Sequence, residues 1–252
     1  MIDHAFFVEL SQVARAAIAD ALAAGLNPES KDPGGFDPVT EADRAAEQAM
    51  RRAIELKFPD HGIWGEEYGL TRGDARVRWS LDPVDGTRAL VCGLPSWAVL
   101  VGLLDQGRHV AGMIDLPAIG ERLVAVDGQT LRNGAAVAAS GCRTVAEARW
   151  STTDPFLFDG AEAEAVARVR HAARVARYGL DAMAYARLAT GDIDLVIENK
   201  LMPHDLDALV AVVHGAGGHF GDWEGGEDFA GGRVIAAATR ELYDEAMALL
   251  AG

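Results

Sequence analysis

The residues best suited to chemistry lie in one short stretch, Asp82-Pro-Val-Asp-Gly-Thr87. Trp79–Leu81 before it reads as a short buried strand, and Pro83 prevents a helix from running through it. Asp82 and Asp85 are three positions apart across a proline-fixed turn, so both carboxylates are expected to converge just beyond the strand. Two converging carboxylates favour a divalent metal ion.

The two residues after Asp85 suit an anion. Gly86 lets the backbone approach a ligand closely, and Gly86 and Thr87 can both present N–H groups to phosphate oxygens. Asp, Pro and Gly are also ordinary turn residues, so a polar turn followed by a helix N-cap is the alternative interpretation.

Other acidic residues strengthen the metal interpretation. Five of them are predicted at strand ends or helix starts: Asp43, Glu66, Asp82, Asp85 and Asp205. Hard oxygen ligands without His or Cys favour magnesium or manganese over zinc. An acid in a first helical turn is also a common helix cap, and this alternative stays open for Asp205. Carboxylates gathered without a cation repel and raise each other's pKa, so convergence itself argues for a metal.

Apolar periodicity and capping signals predict the elements that position these acids. Thr40 opens one helix with a capping box that places Asp43 at its third position. Predicted helices cover Asp3–Ala24, Thr40–Lys57, Ala161–Ala172, Asp181–Thr190, Pro203–Gly215 and Arg240–Leu250. Predicted strands cover Ile63–Trp64, Trp97–Leu104, His109–Leu116, Leu123–Val126, Leu195–Ile197 and Val234–Ala237. The pattern predicts an α/β chain whose halves, residues 1–140 and 141–252, form one compact unit, with most of the acids in the first half and Asp205 in the second.

Composition limits the partners. The 252-residue chain carries a formal net charge of −15, which argues against nucleic acid because phosphate backbones attract basic surfaces. An anionic substrate would then need local positive charge, which bound metal ions supply. Cys92 and Cys142 fit neither a metal spacing nor a disulfide framework, so a reducing cytoplasm is expected. No secretory leader is apparent, and Ala89–Leu104 is too short and interrupted to span a membrane.

Competing catalytic motifs are absent from the sequence. It contains no Gly-x-Ser-x-Gly elbow, no Gly-x-x-x-x-Gly-Lys-Ser/Thr loop and no Gly-x-Gly-x-x-Gly opening a helix.

The chain resembles the magnesium-dependent inositol monophosphatase superfamily over nearly its whole length. The resemblance rests on Asp37-Pro-Val-Thr-Glu-Ala-Asp43, Gly65-Glu-Glu67, Asp82-Pro-Val-Asp-Gly-Thr87 and Leu201-Met-Pro-His-Asp205. The histidinol-phosphatase branch is indicated by Asp85-Gly-Thr-Arg-Ala89, Gly93-Leu-Pro-Ser-Trp97, Ser151-Thr-Thr-Asp-Pro155 and Tyr178-Gly-Leu-Asp181. The resemblance implies the layered αβαβα sandwich of the inositol monophosphatase/fructose-bisphosphatase type. It also implies two or three Mg²⁺ ions, with Mn²⁺ as a substitute, and a homodimer.

The resemblance also implies roles for individual residues. The metal ligands would be Glu66, Asp82, the Val84 carbonyl, Asp85 and Asp205. Gly86 and Thr87 would bind phosphate, and Asp43, Glu66 and Thr87 would be catalytic. Glu198 and Asp181 would contact the organic part of the substrate, and Arg88 would also bind the substrate, either by pairing with a carboxylate or by holding the phosphate. Acidic residues suit histidinol, which carries an ammonium group and an imidazole, but a solvated Glu198 and an N-capping Asp181 are the plain alternatives.

Several positions depart from the pattern of this branch: Leu180, Met183, Asn199-Lys200, His204 and the Lys31–Asp37 loop. They are expected to surround the substrate end rather than the metal end. The sequence therefore predicts hydrolysis of a phosphate monoester, with L-histidinol phosphate as the expected substrate. The alternatives are inositol 1-phosphate or a range of sugar phosphates, and a non-catalytic scaffold protein, which would have no physical need for five gathered acids.

Overall fold

Two β-sheets alternate with three helical layers. The coordinates are a computed structural model that describes residues 2–25, 29–30 and 38–252. The Lys31–Asp37 loop and the Asp37 end of the first motif lie outside the described residues. On either side of this loop, two short strands, Glu29–Ser30 and Pro38–Val39, pair with each other.

The predicted helices and strands, apart from the strand before the acidic stretch, fall close to their predicted bounds, and the structure adds one short helix and several short strands that were not predicted. The helices are α1 (His4–Ala24), α2 (Glu41–Lys57), α3 (Thr87–Val91), α4 (Gly160–Ala172), α5 (Ala182–Ala189), α6 (Pro203–Gly215) and α7 (Arg240–Ala251). The strands are β1 (Glu29–Ser30), β2 (Pro38–Val39), β3 (Gly62–Gly65), β4 (Gly69–Thr71), β5 (Val77–Asp85), β6 (Ala98–Asp105), β7 (Arg108–Leu116), β8 (Glu121–Val126), β9 (Gln129–Arg132), β10 (Ala135–Ala136), β11 (Arg149–Thr152), β12 (Val175–Tyr178), β13 (Leu195–Glu198), β14 (His219–Gly221) and β15 (Val234–Ala237).

The larger sheet has the order β10-β9-β8-β7-β6-β5-β3-β4, and the smaller one β12-β11-β13-β15-β14. In the larger sheet only the β3–β5 pair is parallel, with Gly65 opposite Leu81. The next residues along the two chains, Glu66 and Asp82, are therefore brought side by side.

Alternating side chains along each strand build the layers. Val99 and Val101 face α1 and α2, whereas Leu100 between them faces α5 and α6. The smaller sheet covers the other side of α5 and α6 and packs its outer face against α4 and α7. This confirms the predicted αβαβα sandwich.

The strand before the acidic stretch is longer than predicted. The structure replaces Trp79–Leu81 with β5, which continues through Pro83 to Asp85. Pairing with β6 loses its regular register between Asp82 and Asp85, and an irregular stretch tolerates a proline because no ladder hydrogen bond is needed there. The prediction of a turn beyond the strand was wrong: both aspartates belong to the irregular strand end.

The central helix α6 crosses the larger sheet at very close range. A methyl group on Gly102 would lie 2.6 Å from the Asp207 Cβ, and one on the paired Gly112 would lie 2.5 Å from the Ala208 carbonyl oxygen. These two glycines therefore set how deeply the first turns of α6, with Asp205, enter the molecule. Among the described residues, no helix has the length and apolarity needed to cross a membrane.

Candidate active site

An open cleft of about 350 Å³ lies where β3, β5 and β13 end and where α3 and α6 begin. Both sheets and the helical layer between them therefore contribute to it. Its lining residues are Glu66, Asp82, Val84, Asp85, Gly86, Thr87, Arg88, Thr153, Asp154, Leu157, Asp181, Glu198, Asn199, Lys200, Leu201 and Asp205. All the sequence-predicted site residues except Asp43 are in this set.

Three of the predicted metal ligands form a tight cluster in the cleft. One carboxylate oxygen from each of Asp82, Asp85 and Asp205 lies within 4.8 Å of the other two. Backbone N–H groups fix all three side chains: Val84 donates to Asp82 (3.0 Å), Ala182 to Asp85 (2.7 Å) and Met202 to Asp205 (2.7 Å). Asp205 thus caps the first turn of α6 and faces the cluster, so the two interpretations of this residue are compatible.

The electrostatics of this cluster favour a cation. Burial, with repulsion from Glu66, Asp85 and Asp205, raises the pKa of Asp82 well above its ordinary value. Burial also raises the pKa of Asp85, and Asp181 and Asp205 add to the effect. A divalent ion would relieve this repulsion, and carboxylate oxygens are ligands that hard cations prefer. The donor set therefore fits a metal such as Mg²⁺.

Glu66 and Val84 complete the predicted ligand set from the same sheet edge. The Glu66 N–H donates to the Leu81 carbonyl (3.1 Å), which holds the residue beside Asp82. Glu66 lines the cleft outside the three-residue cluster. The buried Val84 carbonyl accepts a hydrogen bond from the Thr87 hydroxyl (2.9 Å).

Asp43 lies behind the cleft. It is 1% exposed, and its Oδ2 accepts the Thr40 N–H (2.9 Å) in the predicted capping box. Its other oxygen lies 3.3 Å from the Thr87 hydroxyl. Thr87 therefore links Asp43 to the cleft.

The predicted phosphate-binding residues begin the short helix α3. Gly86 precedes it with a φ of +77°, a conformation that side chains disfavour, and Thr87 is its first residue. Arg88 is exposed at the cleft, and its charge opposes the rise in the pKa of Asp181.

Asp181 lines the cleft beside Gly86 in an unusual backbone conformation. Its φ of +49° and ψ of −141° lie in a region that non-glycine residues rarely adopt. Asp181 occupies the N-cap position of α5, as the alternative expected, but its side chain makes no capping hydrogen bond there. Burial raises its pKa to about 6.

Glu198, at the end of β13, is 2% exposed, which rules out the solvated alternative. It accepts hydrogen bonds from the Thr153 N–H (2.6 Å), the Thr153 hydroxyl (2.9 Å) and the Thr152 hydroxyl (3.1 Å). Burial raises its pKa to about 7 despite these donors. Asp181 and Glu198 thus add two more acids to the lining of the cleft, an acidic wall beside the metal cluster.

Sequence reasoning did not predict how the segment after β11 supports this wall. Three consecutive residues hold it: Glu198 through Thr153, and Asn199 and Lys200 through the Leu157 carbonyl, at 3.1 Å and 2.6 Å. The available signal was the motif Ser151-Thr-Thr-Asp-Pro155, at the end of a strand, β11, that was itself not predicted.

The expectation that the departures surround only the substrate end was wrong for His204. Its Nε2 lies 3.5 Å from Asp205 Oδ1, and its charge opposes the rise in the pKa of that carboxyl. His204 therefore belongs to the metal end. Leu180 and Met183 are partly buried against the core around α5 and α6.

A model of the inositol monophosphatase family matches residues 3–251. The chain belongs to this family. The bifunctional phosphatase IMPL2 of Arabidopsis thaliana, a chloroplast protein, is 42% identical over 77% of this chain, and the match spans only 57% of that protein. A histidinol-phosphatase of Chlorobaculum parvum is 32% identical over 81% of this chain and 80% of its own length.

Solved structures agree with this membership. An inositol monophosphatase from Zymomonas mobilis superposes with a TM-score of 0.87 at 37% identity, covering 98% of this chain and 96% of the other. The SuhB protein of Bartonella henselae gives a TM-score of 0.89 at 28% identity over 97% and 96%. With its acidic cluster, this member of the inositol monophosphatase family is a metal-dependent phosphomonoesterase.

Proposed function

We propose that this protein hydrolyses L-histidinol phosphate to L-histidinol and inorganic phosphate with Mg²⁺. The observation that carries the proposal is the acidic wall, the two acids Asp181 and Glu198 that line the cleft in addition to the three-aspartate cluster. Histidinol presents an ammonium group and an imidazole to such a wall, whereas inositol presents neutral hydroxyl groups. The relative from Chlorobaculum parvum, named a histidinol-phosphatase, supports this choice.

The proposed metal site uses Glu66, Asp82, Asp85 and Asp205 with the Val84 carbonyl, and holds two or three Mg²⁺ ions or Mn²⁺ in their place. When bound, the metal polarises phosphoryl oxygens and lowers the pKa of water. Gly86 and Thr87 bind phosphoryl oxygens through backbone N–H groups, which places phosphorus beside the metal cluster.

The remaining residues handle the attacking water. The Thr87 hydroxyl orients it, and Asp43 holds that hydroxyl from behind at 3.3 Å. As the new oxygen–phosphorus bond forms and the bond to the organic oxygen breaks, the water proton passes towards Asp43 or Glu66. The leaving oxygen takes a proton from solvent, so the products are the free alcohol and phosphate. Positioning and charge stabilisation carry most of such a reaction.

A second candidate is hydrolysis of inositol 1-phosphate or of a range of sugar phosphates. It is favoured by the 37% identity to the Zymomonas mobilis inositol monophosphatase, which exceeds the identity to the Chlorobaculum parvum histidinol-phosphatase. Arg88 and Lys200 at the cleft could serve hydroxyl-rich substrates.

We also propose that the protein acts as a homodimer. The edge strand β12 leaves Val175 and Tyr178 39% and 37% exposed, which would suit contact with a second copy. Sedimentation equilibrium measures this directly, and a monomer at micromolar concentration would contradict it.

Phosphate release from L-histidinol phosphate and inositol 1-phosphate, with and without Mg²⁺, tests the function. We expect magnesium-dependent release with a strong preference for histidinol phosphate, and loss of that preference in Glu198→Gln and Asp181→Asn. Equal rates on both substrates would move the assignment to the second candidate. No magnesium-dependent release from either substrate would refute the phosphatase proposal.

A further inference from the structure

A second buried acid lies on the helix that carries Asp43. Glu47 is four residues further along α2, on the same face and one turn deeper, and is 0% exposed. It lies outside the set of residues that line the cleft. The mechanism leaves this charged and fully buried group without a role.

Glu47 binds the chain that follows β3. Its Oε2 accepts the N–H of Glu67 at 2.7 Å, and its Oε1 accepts the N–H of Tyr68 at 3.3 Å. Arg51 completes the arrangement by donating to Glu47 Oε1 (2.7 Å), to the Gly69 carbonyl and to the Thr71 hydroxyl (3.3 Å). One ion pair therefore ties the whole turn between β3 and β4 to α2.

The same carboxylate also restricts Gly65, the last residue of β3, to glycine. A methyl group on Gly65 would lie 1.8 Å from Glu47 Oε1, so only glycine leaves room for the acid. On the other side, the Glu66 N–H donates to the Leu81 carbonyl, next to Asp82. The backbone of Glu66 is thus held between the Glu47 carboxylate and β5.

We propose that Glu47, braced by Arg51, is a positioning residue for the metal centre. It fixes the backbone on both sides of Glu66, so that the Glu66 side chain faces Asp82 at the cleft. The inference rests on the proposed role of Glu66 as a metal ligand. The Glu47 carboxylate accepts the N–H of Glu67, the residue directly after the proposed ligand, which is where a positioning residue would have to act. Partners that orient metal ligands typically change metal affinity or activity by about 10- to 100-fold when they are lost.

Glu47→Gln tests the inference, because it preserves the size of the side chain but loses the charge that holds Arg51. The apparent Mg²⁺ constant is measured twice: from phosphate release, and from the rise in melting temperature with Mg²⁺ in the absence of substrate. We expect the constant to rise about tenfold by both readouts, with kcat at saturating Mg²⁺ within about twofold of the original protein. The matched control is Glu55→Gln, on the same helix, which removes the exposed pair with Arg72 (3.2 Å) and should leave the constant unchanged.

A Glu47→Gln variant with a lower melting temperature but an unchanged Mg²⁺ constant would overturn the inference and leave a purely structural pair. If that variant does not fold, Arg51→Lys answers the same question, because it keeps the charge but loses the planar fork. A rise of the constant in Arg51→Lys supports the inference, and an unchanged constant overturns it. If the original protein shows no Mg²⁺ response, the proposed metal chemistry fails first, and the inference fails with it.

Discussion

Replacing Asp181 by glycine should make the metal-free protein more stable and less selective. The φ of +49° and ψ of −141° at this position are unfavourable for any residue with a Cβ but accessible to glycine. The residue is held there while the next N–H, from Ala182, donates to Asp85 at 2.7 Å. Backbone strain retained beside a ligand cleft is a common mark of function.

The gain in the free energy of unfolding is the difference between two favourable effects and one cost. Releasing a strained backbone conformation is worth roughly 1–3 kcal/mol, and removing the carboxylate that repels Asp85 adds to it. Glycine also gives the unfolded chain more freedom, which costs about 0.5–1 kcal/mol. A net gain of about 1 kcal/mol remains, equivalent to a rise of about 2–4 °C in Tm for a chain of this size.

Thermal unfolding without metal, followed by circular dichroism, measures this gain. Asp181→Asn is the matched control, because it removes the charge but keeps a side chain in the strained conformation. The glycine variant should melt above the asparagine variant, and both should lose about tenfold in kcat/KM for histidinol phosphate, about 1.4 kcal/mol. An Asp181→Gly protein that melts no higher than Asp181→Asn would refute the argument from strain.

Three further changes give distinct expectations. Asp85→Asn should raise the metal-free melting temperature by relieving repulsion, yet abolish both turnover and the Mg²⁺-dependent rise in melting temperature; an active variant would contradict the ligand assignment. Thr87→Ala should lower kcat at least tenfold and leave the Mg²⁺ constant within about twofold, and equal losses in both would argue against a role in orienting water. Because the pKa of Glu198 is raised to about 7, this group loses its proton as pH rises through 7, so kcat/KM for histidinol phosphate should rise there and Glu198→Gln should flatten that rise. The same shift means that the folded protein binds more protons than the unfolded chain, so metal-free stability should fall between about pH 4.5 and 7.

Elements with one clearly apolar face were predictable from the sequence. Helix α2 and strands β6 to β8 fall close to their predicted bounds, because each packs a regular set of side chains against a neighbouring layer. Strand β12 was missed because it is a mostly exposed edge strand that includes Arg177 and lacks a buried alternating pattern. β5 was cut short at Pro83 because a proline normally ends ladder pairing, and the sequence does not reveal an irregular register.

The candidate site shows the same division. The acidic residue types and the resemblance predicted which carboxylates to examine, and the structure brings Asp82, Asp85 and Asp205 together. They also indicated a capping role and a catalytic role for Asp43, but not that its two oxygens would divide between Thr40 and Thr87. The strained backbone of Asp181 and the support that Glu47 gives depend on contacts between distant segments, for which the local sequence carries no signal.

The close packing of α6 on Gly102 and Gly112 also links metal binding to the order of folding. Asp82 and Asp205 are 123 residues apart in the chain. Asp205 reaches Asp82 only when α6 has packed between the two sheets. Contacts of such long separation form late and slowly. The three-aspartate cluster is therefore assembled only in the completed structure, so bound metal selects fully folded molecules and a fragment that ends before α6 lacks the third aspartate.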